Sequence, residues 1–166
     1  MKRDLFVLFL AALVALSSAA CGSDSEGDAG ATGGESSGGT ISTSASALCV
    51  DLINKHRASI MLPPYQRWED AEVCSSEQAK SDAESGIPHD AFSKCGEFAQ
   101  NECPGWPGKP EEIIGGCLQM MWDEGPGEDF EQHGHYLNMS SDEFTMVACG
   151  FFQTDDGQVW AIQNFK

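Results

Sequence analysis

Positive charge is what this chain has least of. Nine lysines and arginines stand against 26 aspartates and glutamates, a formal net charge of −17. Nucleic acid and anionic lipid surfaces are therefore excluded as partners on electrostatic grounds. Long apolar runs are missing too. The longest unbroken one, Leu5 to Leu16, is twelve residues, short of the roughly 20 that a membrane-spanning helix requires. No glycine-rich phosphate loop follows a strand pattern: Gly105 and Gly108 alternate with Pro104 and Pro107, which lack the N–H groups that cradle phosphate. Ser140 and Ser141 have no spacing that marks an activated nucleophile. A triad hydrolase and a nucleotide enzyme are thereby disfavoured.

The chain has an export signal in sequence form. Lys2-Arg3 precedes the apolar run, and Ser17-Ser18-Ala19-Ala20 precedes Cys21. A small-residue site ending on cysteine resembles a bacterial lipoprotein signal, although Ser18 stands where such signals usually carry leucine. The resemblance implies that residues 1–20 are removed and that Cys21 is lipidated and anchors the protein to a membrane. Gly22 after the cysteine points to an outer membrane or cell-surface lipoprotein; ordinary cleavage and secretion is the alternative. Residues 21–43 are rich in glycine, serine, alanine and threonine, with Ile41 their one large apolar side chain. That composition predicts a disordered spacer. Setting Cys21 aside leaves six cysteines, Cys49, Cys74, Cys95, Cys103, Cys117 and Cys149. In an exported chain these predict three disulfides. Cys49 with Cys74 and Cys103 with Cys117 are the expected pairs. Cys95 with Cys103 is an alternative staple for the irregular stretch that holds them.

A single domain is expected over residues 44–166. Leu48, Cys49, Leu52, Ile53, His56 and Ile60 recur at helical spacing within Ser44–Ile60, which Leu62-Pro63-Pro64 stops. Glu69–Ser85 is a second helix with a small face of Ala71, Cys74, Ala79 and Ala83, closed by Gly86. Ile87–Pro110 reads as irregular, with a short strand at Phe98–Cys103. Pro110-Glu111-Glu112 opens a third helix whose stripe runs Ile113/Ile114, Cys117/Leu118, Met121/Trp122 and ends at Gly125-Pro126-Gly127. Phe144–Phe152 and Gln158–Phe165 form a hairpin about Thr154-Asp155-Asp156-Gly157. Helices first and strands last predict an α+β fold with a small antiparallel sheet.

Four blocks, in order, resemble the CAP superfamily of cysteine-rich secretory, antigen 5 and pathogenesis-related 1 proteins. They are Leu52-Ile53-Asn54-Lys55-His56-Arg57 with Leu62-Pro63-Pro64 and Trp68; His89 with Cys95-Gly96-Glu97 and Ala99-Gln100-Asn101; Trp122-Asp123-Glu124; and Gly134-His135-Tyr136-Leu137-Asn138-Met139 with Val147-Ala148-Cys149-Gly150-Phe151. The resemblance implies a three-layer α-β-α sandwich. Its cleft would hold a tetrad of His89, Glu97, Glu124 and His135, and Gln100 or Glu102 can take the place of Glu97. Trp122 and Glu124 stand one residue closer than the family spacing.

Two neutral imidazoles, His89 and His135, make a site for Zn²⁺ or another divalent cation, completed by a third ligand or water. His133, two residues before His135, would face the same way on an extended strand, but it is expected to be a rim residue. His56 is expected to pack near the core, and Asn54 and Arg57 to act as structural hydrogen-bonders. Glu128, Asp129 and Glu131 form a solvated loop. Two functions follow. One is a monomeric surface module binding a small apolar ligand, an ion or a protein; the other is a metal-dependent, protease-like hydrolase using the same cleft.

Overall fold

The computed structural model of the protein describes residues 43–166. The export segment, Cys21 and the spacer as far as Ser42 lie outside the described residues; Thr43, expected to close the spacer, instead opens the first helix. In chain order come α1 (Thr43–Ser59), β1 (Gln66–Arg67), a 3-10 turn (Glu69–Ala71), α2 (Glu72–Ser85), β2 (Ala99–Pro107), α3 (Pro110–Trp122), α4 (Phe130–Ser140), β3 (Met146–Gln153) and β4 (Gln158–Phe165). The sheet order is β1-β3-β4-β2; β1 runs parallel to β3, and the other pairings are antiparallel. Helix α2 covers one face, and α1 and α3 cover the other, with α4 against α3 and the β2 edge. This is the expected α+β sandwich.

Strand β3 is central and buried on both faces, so it reads as a continuous apolar run. Val147, Cys149 and Phe151 join the core with Ile53, Ile114, Leu118 and Met121. Gly150 points the other way, at α2. A Cβ there would stand 2.2 Å from the backbone carbonyl carbon of Ser75, so only glycine lets the helix lie this close. The α2 face against the sheet is more polar than its alanines predict. Ser75, Ser76, Gln78 and Asp82 are buried beside Ala71 and Ala79, and Cys74 and Ala83 are only half-buried. Gly86 caps α2 with φ 69°, as expected.

The first helix also differs from its predicted stripe. Cys49 and Ile53 are buried, but Ile60 is 40% exposed, because α1 has ended at Ser59. The buried line continues through Arg57. Its Nε donates to Pro63 O at 2.9 Å, and its Nη1 donates to Met139 O and Ser141 O at 2.8 Å each. Asn54 brackets the Tyr65 main chain from both sides. These two residues hold the Pro63-Pro64 turn, as expected.

Three disulfides close: Cys49–Cys149, Cys74–Cys95 and Cys103–Cys117. The last is the expected one. Cys49 does not meet Cys74, because α1 and α2 lie on opposite faces of the sheet; nor does Cys95 staple to Cys103. Strand β2 is longer than predicted. It takes Pro104 and Pro107 because it is an edge strand with a register break between Cys103 and Trp106.

Candidate functional site

The cleft lies across the β2 edge, between the loop after α2 and the helix α4. His89 sits in that loop with φ 63°, a left-handed conformation that a side chain disfavours. Carboxylates from below hold it there. Glu102 Oε2 accepts from His89 N at 2.7 Å, Asp82 Oδ1 accepts from Ala91 N at 2.8 Å, and the two Glu97 oxygens accept from Ser93 N and Cys95 N at 2.6 and 2.9 Å. Cys95 is further tied to α2 by its disulfide. Glu102 and Asp82 are buried, and each keeps one oxygen without a partner. Burial pushes the Glu102 carboxyl up to about 7 and raises Asp82 as well.

The His89 ring faces an amide. Its Nδ1 lies 2.8 Å from Gln100 Oε1. Gln100 Nε2 donates to Asn164 Oδ1 at 2.9 Å, and Asn164 Nδ2 donates to Ser75 Oγ and Gln78 Oε1 at 2.9 and 2.6 Å. This order of donors leaves Gln100 Oε1 as an acceptor. His89 Nδ1 therefore carries the proton, and Nε2 keeps its lone pair. Of the three residues the sequence left open, Gln100 meets the ring. Glu97 instead binds Gln78 and the loop N–H groups, and Glu102 binds the His89 main chain.

His135 stands on α4. This corrects the strand-based expectation for His133 and His135: two residues apart on a helix, they diverge. The α4 start is signalled by Asp129, whose side chain accepts from Glu131 N. Asp129 and Glu131 thus belong to this helix start and not simply to a solvated loop. Glu124, just past the end of α3, makes a short hydrogen bond to His135 Nδ1 and accepts from His135 N at 3.1 Å. The acid at the helix end thus has a partner, as expected. His133 Nδ1 meets the carbonyls of Glu124 and Gly125, so it braces that turn. His56 stacks on Trp122, which in turn packs on Tyr136.

His89 and His135 line one open cavity of about 360 Å³, with Gln100, Asn101, Glu131 and Asn138. Asn101 Nδ2 donates to His135 O at 3.0 Å, and Asn138 Nδ2 donates to Asn101 Oδ1 at 2.9 Å. Asn101 and Asn138 line the cleft but were not among the expected site residues; Asn138 follows His135 by three on the helix, which was the available signal. Each imidazole is partly exposed, and each has its Nδ1 held by an oxygen. That is the arrangement in which Nε2 ligates a metal. Among the described residues no three His, Cys, Asp or Glu groups converge. A cation here would have His89 and His135 as its two protein nitrogens and would need water or a ligand to complete its shell.

A sequence profile of the CAP domain, described as the cysteine-rich secretory protein family, matches residues 50–165. The chain belongs to the CAP family. Two crystal structures share the CAP fold with it: Na-ASP-1, at 12% identity and a TM-score of 0.54, and the hookworm platelet inhibitor, at 14% and 0.53. The first match covers 78% of this chain but 40% of Na-ASP-1; the second covers 75% of this chain and 70% of the inhibitor. No curated protein sequence matches the chain. Two features stand out in the cleft: the His135–Glu124 pair, and a His89 whose ring partner is an amide.

Proposed function

We propose that this CAP domain is an exported binding module, tethered to the cell envelope through lipidated Cys21, whose cleft takes a divalent cation such as Zn²⁺ between His89 and His135. Gln100 carries the proposal. An amide cannot take up a proton, so the group hydrogen-bonded to the His89 ring is not a base, the nearest carboxylate oxygen being Glu102 Oε2 at 3.7 Å from Nδ1, whereas both Nε2 lone pairs stay available to a metal. The bound cation would supply a positive centre for an acidic or neutral ligand on a strongly negative protein. A small apolar molecule or a protein is the further partner, and the chain acts as a monomer.

Calorimetric titration with Zn²⁺ tests the site. One ion should bind at neutral pH, more weakly toward pH 5, because a ligating imidazole has to be neutral. His89→Ala or His135→Ala should abolish binding, and His133→Ala should do much less. No loss in His89→Ala would end the pairing. The tether is tested by fatty-acid labelling: a Cys21→Ala chain that still labels and stays with membranes would refute it. The intact His135–Glu124 pair favours a second reading, a metal-dependent hydrolase. Chelator-sensitive cleavage of peptide or ester substrates, lost in Glu124→Gln, would select it.

A further inference from the structure

We propose that the apolar trough beside the histidine cleft binds a cationic amphiphile, a molecule with a short hydrocarbon body and an ammonium head. The proposal rests on the binding-module reading but makes no use of the metal. Its ground is three phenylalanines that stand out of the core: Phe92 is 42% exposed, Phe98 70% and Phe130 63%. They come from three separate parts of the chain, namely the loop after α2, the residue before β2 and the first residue of α4. Together with Ala99 they line a concavity of about 360 Å³ whose polar wall includes Gln100 and Asn138. This is within the range of small-molecule sites. On one side it shares His89, Gln100, Phe130 and Asn138 with the histidine cavity; on the other it shares Phe98, Ala99, Phe130 and Asn138 with a groove of about 540 Å³ that runs past Leu137 and Phe144. Exposed aromatic surface gathered from distant segments marks an interaction site more than scattered exposure does.

The rings stand on held backbone. Phe98 N donates to Phe165 O at 2.8 Å, which fixes the entry to β2. Phe92 N donates to His89 O at 3.1 Å, in the loop fastened by Glu97, Asp82 and the Cys74–Cys95 disulfide. Phe130 lies over Gly134, where a Cβ would come 3.2 Å from its ring carbons. A ligand therefore meets apolar surface that is already ordered, which lowers the entropy lost on binding.

Charge selects the head group. The trough itself is lined by no acid, but Glu131 lines the histidine cavity at one end and Asp142 and Glu143 line the groove at the other, and among the described residues no lysine or arginine lines any of the three. The chain as a whole carries −17. A carboxylate head is repelled, whereas an ammonium head is drawn by the field and by the ring faces. Two carboxylates stand at the far end against one at the histidine end, so the head belongs at Asp142 and Glu143, and the hydrocarbon body lies over Phe92, Phe98 and Phe130.

The test uses the full chain with Cys21→Ala, so that no detergent is present, in buffer with chelator. Decyltrimethylammonium, decanol and decanoate are titrated below their micellar concentrations by calorimetry, and the chemical shifts of the trough residues are followed by NMR. The expected result is one saturable site for decyltrimethylammonium, about tenfold weaker for decanol and weaker still for decanoate. Phe98→Ala and Phe130→Ala should each weaken it about tenfold. Asp142→Asn with Glu143→Gln should weaken the cation and leave decanol unchanged. Both phenylalanines are exposed, so circular dichroism should report an intact fold. Equal binding of decanoate, no saturable binding, or full binding by the phenylalanine variants would overturn the proposal. Zn²⁺ binding at His89 and His135, measured separately, stands or falls on its own.

Discussion

Glu102→Gln should make the protein more stable in mildly alkaline buffer and leave it unchanged in acid. The Glu102 side chain has no solvent exposure; one oxygen accepts from His89 N, and the other has no partner. Burial, aided by the charge of Asp82 and opposed by the His89 N–H, moves its pKa from 4.5 to about 7. Below the unfolded value, both states of the chain hold the proton, and the group favours neither. Between the two values the unfolded chain releases a proton that the folded chain keeps, and stability falls as pH rises. Above about 7 the folded carboxyl is ionised too, and the full loss is in place. At about 1.4 kcal/mol per pH unit the gap is worth about 3 kcal/mol. Glutamine has no charge to desolvate, and the Asp82 charge favours its amide N–H₂. The variant should thus approach a gain of about 3 kcal/mol at alkaline pH and match the parent well below the unfolded value. Asp82, raised in the same direction by burial, remains in the variant and leaves it a shallower slope of the same sign. Urea unfolding with chelator present, followed by circular dichroism at both pH values, measures this. Equal stability of variant and parent at alkaline pH, or a less stable variant there, would refute the reasoning.

Two further outcomes follow from packing and cross-linking. Gly150→Ala places a methyl group 2.2 Å from the α2 backbone. It should cost about 3 kcal/mol or more, at the upper end for overpacking, because backbone rather than a flexible side chain has to yield; an unchanged denaturation midpoint would contradict the close approach. Cys74→Ser with Cys95→Ser opens a link across 21 residues. It should cost about 3 kcal/mol and speed amide exchange across residues 87–98, whereas protection of β3 and β4 should fall only with the global stability.

The sequence was most informative where one local signal decided the outcome. Pro110 with two acids opened α3, Gly86 closed α2, and Thr154 to Gly157 turned the last hairpin, all as expected. It was least informative where a partner from another layer decided. The α2 face holds serine, glutamine and aspartate because Asn164 and the loop N–H groups of the neighbouring layers satisfy them, and no periodicity reports that. Cys49 finds Cys149 because β3 runs beneath α1, a consequence of sheet order. The α4 helix was hidden by Gly134 and by two histidines at strand-like spacing, although the Asp129 cap was there to be read. The cleft pair His89 and His135 came from family resemblance. Between Glu97 and Gln100 the sequence left the matter open, Glu97 matching the local motif and Gln100 the strand register; the structure puts Gln100 on β2 against the His89 ring and Glu97 before the strand.

The Cys49–Cys149 link joins the first helix to the third strand across 100 residues. If the chain is exported N-terminus first, as proposed above, Cys49 emerges long before its partner. In that interval Cys74 and Cys95, and Cys103 and Cys117, can meet across short loops, which close fastest. Early pairing there would remove four of the thiols that Cys49 could wrongly capture. The long bridge would then form last, and in chain-entropy terms a loop of that size contributes most, about 4.7 kcal/mol. The order of emergence would then act as a proofreading schedule, with the cross-link that seals the sandwich available only after the two that compete with it are spent.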